Sequence, residues 1–204
     1  MGCIQAFDVS QIVEKTGVKI FVETGTLHGD GVTHAQQFPF EEIHSIEIIS
    51  PLAEAAKFKF KDDSRVKIHQ GHSGDVLKDI VPQFEHSALF WLDAHFPGAD
   101  SKHSTASAEE DRERRVPLEE EIETIAKRVN THGDVLVIDD LWLYEDGPFE
   151  TGSFNDWMKI HHNGETREEL CGVDATFIDK AFEQTHTVQR FYKQQGYIVC
   201  TPKK

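Results

Sequence analysis

The chain reads as an α/β protein built on a doubly wound, mostly parallel sheet that closes with a C-terminal antiparallel hairpin. Three observations predict this. Apolar runs of strand length alternate with helical patterns from Val18 to Ile138, a rhythm that builds a parallel sheet with helices on both faces. Two of those runs, Ala88–Leu92 and Asp134–Ile138, stop abruptly on acid, at Asp93-Ala94-His95 and at Asp139-Asp140. The last two apolar runs, Thr187–Tyr192 and Tyr197–Thr201, are joined across Gln194-Gln195-Gly196. That connection is too short for a crossover and fits an antiparallel pair.

The elements follow in order. Ser10–Thr16 is a short helix that Ser10 can cap and Gly17 can stop. Val18–Val22 is an apolar strand, and a glycine-bearing loop leads from it to a helix over Gly31–Phe38 that Pro39 closes. His44–Ile49 is the next strand, with Glu47 inside it. Pro51 suits the first turn of a helix running to Phe60. Val66–Gln70 is the third strand, Gly71–Asp75 its exit loop, and Asp75–Val81 a short helix ended by Pro82. After the strand Ala88–Leu92, the polar stretch 97–116 has no apolar period and reads as a lid-like insertion. Pro117–Arg128 is an amphipathic helix with Leu118, Ile122, Ile125 and Ala126 on one face. Past Leu141 the rhythm weakens. Phe154–His161 and Ala175–Gln184 read as helices, and the aromatics from Trp142 to Trp157 read as packing residues.

Composition narrows the function. The 204 residues are enough for one domain with a full core, expected to span 1–204. With 38% hydrophobic and 28% charged residues the chain is globular rather than disordered. A net charge of −15 argues against a nucleic-acid groove and against anionic membranes, and it suits a focused acidic cleft with a small ligand. Cys3, Cys171 and Cys200 are odd in number and widely spaced, as expected of reduced thiols in a cytoplasmic protein. No apolar run approaches a membrane span, and the N-terminus lacks a signal pattern. Met1-Gly2-Cys3 hints at acylation, but Ala6 stands where that pattern wants Ser or Thr.

The chemistry concentrates at strand ends. Ligands of open α/β sheets bind outside the carboxyl ends of the strands. The stretch Glu23-Thr24-Gly25-Thr26-Leu27-His28-Gly29-Asp30-Gly31 follows the first strand. Its glycines let the backbone turn sharply and lie close to a ligand. No Lys-Ser or Lys-Thr follows, so it is not a phosphate loop. A plain strand–turn–helix connection explains the loop equally well when it is taken alone. Glu47, one strand later, stands where dinucleotide-type folds hold ribose hydroxyls. Asp93, Asp139 and Asp140 would gather three carboxylates at one edge, the kind of oxygen set that hard divalent cations prefer.

In this order the motifs resemble the class I S-adenosylmethionine-dependent methyltransferases, which share a Rossmann-like sheet. Phe21–Gly31 is similar to that family's first motif, Glu47 to its ribose acid, and Ser73-Gly74-Asp75 falls where the family contacts adenine. Strand ends at Asp93 and Asp139-Asp140 resemble the metal-dependent O-methyltransferases of catechols and macrolide sugars. The resemblance covers Val18–Asp140 well and the remainder loosely. It implies S-adenosylmethionine held by Glu23, Thr24, Gly25, Thr26, Gly29, Gly31, Glu47, Ser73, Asp75 and Asp93. It also implies a divalent cation, Mg²⁺, on Asp93, Asp139 and Asp140. Phe96 and Pro97 stand where the catechol enzymes place a lysine base.

The expected reaction is methyl transfer to a hydroxyl of a small molecule. The catalytic residues are then Asp93 and His95, the latter as general base, with His103 on the lid a second choice for that role. A metal-independent N- or C-methyltransferase stays open, as does a non-catalytic ligand-binding protein of the same fold. A nicotinamide oxidoreductase fits less well, because the pyrophosphate loop is wrong. Asp93 could equally be a turn former, His95 a packing residue, and His161-His162 a solvated turn. The sequence leaves room for a homo-oligomer and does not name the methyl acceptor.

Overall fold

The computed structural model describes residues 3–95, 116–154, 167–170, 172 and 174–203, with the side chains of 129–132, 168 and 170 outside the description. Seven strands form one sheet: β1 (Ile20–Thr24), β2 (Glu42–Glu47), β3 (Val66–Gln70), β4 (Ala88–Leu92), β5 (Val135–Ile138), β6 (His186–Phe191) and β7 (Tyr197–Pro202). Their spatial order is β3-β2-β1-β4-β5-β7-β6. The first five are parallel, and β7 pairs antiparallel with both β5 and β6. The chain runs outward through β2 and β3, then returns to the other side of β1 as β4. That reversal makes the β1/β4 boundary the switch point, where such sheets open a crevice.

Alternation along the strands divides the core in two. Ile20, Val22, Phe90, Leu92, Leu136 and Ile138 face α4 (Ser73–Ile80), α5 (Leu118–His132) and α6 (Thr176–Phe182). Phe21, Ile43, Leu89, Trp91, Val135 and Val137 face the layer that includes α1 (Val9–Thr16), α2 (Asp30–Ala35) and α3 (Ser50–Phe60). β1, β4 and β5 are buried along their whole length. Each fully buried large apolar side chain contributes about 1.5–3 kcal/mol.

The structure moves several expected boundaries. α1 is capped by Asp8, whose carboxylate accepts the Gln11 amide at 2.9 Å, and not by Ser10. Gly17 does stop it, in the left-handed conformation. β1 starts two residues later than expected and takes in Glu23 and Thr24. β2 ends on Glu47, which therefore lies at the strand's carboxyl end. Ser73-Gly74-Asp75 is the first turn of α4 and not a loop. The aromatic stretch packs as expected where it is described: Trp142 meets Phe154 edge-on at 5.6 Å, and Phe149 meets Tyr192 at 5.3 Å. Residues 97–115, His103, Trp157, His161, His162 and Cys171 lie outside the described residues.

Candidate active site

The carboxyl ends of β1 and β2 hold the glycine loop. Glu23 is 3% exposed and faces Ser45 of the neighbouring strand, whose hydroxyl donates to it at 2.6 Å. The Thr26 and Ser45 hydroxyls lie 2.6 Å apart, which extends this buried polar line. Burial pushes the Glu23 carboxyl up to about 8, against the pull of Ser45 and with help from nearby Glu47. A methyl group on Gly31 would lie 1.8 Å from Glu23 Oε1, so any larger residue where α2 crosses the acid would displace the Glu23 carboxylate. Gly25 has φ +87°, and a Cβ there would lie 2.7 Å from the Asp93 carbonyl oxygen. The loop thus touches the end of β4 backbone to backbone. Gly29 is the residue before α2. Glu47 is fixed by two amides, from Leu27 at 2.9 Å and Ile49 at 2.8 Å.

The ends of β4 and β5 hold the acids. The Asp93 amide donates to Thr24 Oγ1 at 3.2 Å, and the Asp139 amide donates to the Leu92 carbonyl at 3.0 Å, which ties the three strand ends together. Asp140 adopts the left-handed conformation, φ 53° and ψ 48°, and its amide donates to Asp139 Oδ1 at 2.8 Å. This turn keeps two successive acids at the same edge. Asp93, His95 and Asp140 each place one ligand atom within 4.8 Å of the others, while Asp139 is outside that group. His95 sits between the carboxylates: Nε2 contacts Asp140 Oδ2, and Nδ1 is 3.5 Å from Asp93 Oδ1. Burial disfavours the charged ring, but Asp140 and Asp93 outweigh it and raise the imidazole to about 10. Burial raises the Asp93 and Asp139 carboxyls, Asp93 further through Asp139 and Asp139 further through Asp140. Asp139 Oδ2 and Asp140 Oδ1 are buried without a hydrogen-bond partner.

A small cleft beside these acids is lined by Leu92, Ala94, Ile138, Tyr144, His95, Asp139 and, from α5, Leu118 and Glu121. Glu121 is the residue that sequence reasoning missed. It is 1% exposed, and its Oε1 has no partner. Burial raises its carboxyl to about 7, against the nearby Ser73 and Thr24 hydroxyls. The signal was available: Glu121 is three residues from Leu118 and four from Ile125, on the apolar face of its helix.

Ser73 is buried, with its hydroxyl unpartnered, and Asp75 is on the surface. His72, Asp75 and Glu120 also cluster, but Lys78 already supplies a cation there, 2.8 Å from Glu120 and 3.8 Å from Asp75. The edge therefore unites Glu23, Thr24, Gly25, Thr26, Glu47, Asp93, His95, Asp139 and Asp140, while Asp75 is exposed in the first turn of α4 beside Lys78.

The donor chemistry fits a divalent cation, since the Asp93 and Asp140 carboxylates converge with an imidazole and Asp140 keeps a buried oxygen without a partner. The loop around Gly25, closed against the Asp93 backbone, fits a ligand laid across the β1/β4 switch point. No described helix is long and apolar enough to cross a membrane.

No family model and no curated protein matches the chain. Solved structures do. A putative caffeoyl-CoA O-methyltransferase from Staphylococcus aureus superposes with TM-score 0.62 at 12% identity, over 100% of this chain and 85% of that one. An O-methyltransferase from Bacillus cereus, crystallised with SAH, gives 0.58 at 14% identity, over 100% and 82%. A putative rRNA-methylase from Clostridium thermocellum gives 0.57 at 13% identity, over 100% and 99%. At these identities the likeness establishes the fold, the Rossmann-like sheet of class I methyltransferases with its terminal antiparallel strands.

Proposed function

We propose that this chain, which carries the class I methyltransferase fold, transfers a methyl group from S-adenosylmethionine to a hydroxyl of a small molecule, assisted by a divalent cation. One observation carries the reading: the glycine loop and the strand-end acids meet at one sheet edge, with Gly25 against the Asp93 carbonyl. The crystallised Bacillus cereus relative holds SAH, and the same cofactor suits this edge. Glu47, held rigid by two amides, would receive the ribose hydroxyls, for a carboxylate has lone pairs left over after two such bonds. Gly25 and Gly31 keep the loop low, and Ser73 offers an unpaired hydroxyl at the adenine end.

Methyl transfer forms an oxygen–carbon bond as the carbon–sulfur bond breaks, and the sulfonium becomes a neutral thioether. The chain's contribution is alignment at an acidic sheet edge. Asp93 and Asp140 would hold the cation, with Asp139 adjoining. When bound, the cation would acidify and orient the acceptor hydroxyl. The contacts of His95 bear on its role as base. Burial opposes its charge, but Asp140 and Asp93 overcome burial and raise the ring to about 10, so it already carries its proton at neutrality. It can accept another group's proton only after those carboxylates are neutralised from elsewhere. The charge of −15 favours a neutral or cationic acceptor over a nucleic acid.

The test is calorimetry with SAH followed by methyl transfer to a panel of catechols and vicinal diols. SAH should bind, and Asp93→Asn should lower turnover by about 10–100-fold. Absence of SAH binding by folded protein would refute the proposal. A second reading, metal-independent methyl transfer, is favoured by the imidazole already lodged between Asp93 and Asp140. Turnover unchanged in EDTA would select it.

A further inference from the structure

We propose that His95 is a metal ligand, and that the site on Asp93, His95 and Asp140 takes a borderline transition ion such as Co²⁺ in preference to Mg²⁺. This rests on the reading of the strand-end acids as a cation site and names what kind of cation they select. The convergent donors are two carboxylates and one imidazole, all within 4.8 Å of one another. Asp139, the third carboxylate that an all-oxygen site would use, is not among them. The three come from neighbouring strand ends: Asp93 and His95 from the residues that follow β4, Asp140 from the turn after β5. Asp140 is 7% exposed and keeps a buried oxygen with no partner, as does Asp139, which lines the cleft beside His95. An unpaired buried carboxylate oxygen is costly unless something positive meets it. Lys78 does so for the cluster of His72, Asp75 and Glu120; at Asp93 and Asp140 the positive neighbour among the described residues is the His95 imidazole, and it still leaves Asp140 Oδ1 and Asp139 Oδ2 without a partner.

Ligand type then decides the ion. Mg²⁺ dehydrates reluctantly and takes oxygen donors, whereas imidazole suits the later first-row ions, with affinity rising from Mn²⁺ to Co²⁺ and beyond. His95 as a ligand cannot at the same time be the general base. The proton of the acceptor hydroxyl must then leave by another group, and Asp139 and Glu121 are the carboxyls that line the cleft.

The experiment titrates metal-stripped protein with Co²⁺, followed by visible absorption and paramagnetic proton NMR, and with Mg²⁺ by calorimetry. Wild type should bind Co²⁺ at least about tenfold more tightly than Mg²⁺. It should also show a hyperfine-shifted, exchangeable imidazole N–H. His95→Ala should lose about tenfold or more in Co²⁺ affinity, together with that signal, and change Mg²⁺ affinity by less than about threefold. Equal affinity for the two ions, absence of the imidazole signal in wild type, or Co²⁺ binding indifferent to His95→Ala would each overturn the inference. The wild-type NMR signal decides the matter even if the variant fails to fold. SAH calorimetry run in parallel keeps the two proposals apart. SAH binding without a histidine-ligated metal sinks this inference alone, and a histidine-ligated metal without SAH binding sinks the methyltransferase reading alone.

Discussion

Gly25→Ala is the substitution that best probes the junction of β1 and β4, because Gly17→Ala is its internal control. Both glycines hold a positive φ, +87° at Gly25 and +71° at Gly17. An alanine in that conformation costs roughly 1–2 kcal/mol. At Gly17 a Cβ meets nothing within 4 Å, so the backbone strain is the whole effect. At Gly25 the new atom lies 2.7 Å from the Asp93 carbonyl oxygen and 3.3 Å from its carbon. Comfortable separation is about 3.5 Å, so the two backbones must part by roughly 0.8 Å. A carbonyl at a strand end has no rotamer by which to escape. A displacement near 1 Å in a reacting geometry costs about 10²-fold. Gly17→Ala should therefore lower Tm by about 2–8 °C for a chain of this size and leave SAH affinity unchanged. Gly25→Ala should melt lower still and lose at least about tenfold in SAH affinity. Thermal melts and calorimetry on the pair decide it. If Gly25→Ala melts no lower than Gly17→Ala and binds SAH like wild type, the contact does not organise the site.

Other perturbations follow from buried charge. Glu121 is raised from 4.5 to about 7, chiefly by burial, so its neutral form fits the fold. Its contribution is full below about pH 4.5 and is lost as pH rises through 7. Glu121→Gln should then melt higher relative to wild type at pH 8 than at pH 5, and an equal difference at both would contradict this. His44 is 4% exposed, stacks on His69, and is lowered from 6.5 to about 4, first by burial. Its contribution is present above pH 6.5 and lost as pH falls toward 4, so His44→Gln should flatten the loss of Tm across that window. At the opposite end of the sheet, Asp134 accepts the Ala88 amide at 2.8 Å and pairs with Arg128 at 3.3 Å, while Arg128 also donates to the Val81 and His86 carbonyls. Asp134→Ala should cost about 3–5 kcal/mol in urea unfolding, and Arg128→Met combined with Asp134→Leu distinctly less.

The parallel strands were legible where the apolar run and its flanking turns were both sharp: Val66–Gln70 and Ala88–Leu92 match their expected limits to the residue. β1 slipped because its last two residues are polar yet buried. Glu23 and Thr24 stay in the strand because Ser45 and the Asp93 amide satisfy them across the sheet, and no local pattern encodes those partners. Asp93 and the pair Asp139-Asp140 stand out in the sequence because they follow directly on apolar runs. Their division into two that converge with His95 and one that does not depends on the turn at Asp140, which composition does not encode. Glu121 is hard to read from sequence because acids in the first turn of a helix usually favour its dipole from the solvent side.

The left-handed twist at residue 140 separates shape from charge in a way a laboratory can use. Only glycine, asparagine and aspartate sit there at little expense. Replacement by asparagine therefore keeps the corner and strips the anion, glycine keeps the corner and strips the side chain, and alanine disturbs the corner itself. Comparing those three replacements would report how much of the pocket's behaviour belongs to the path of the main chain and how much to a single negative oxygen.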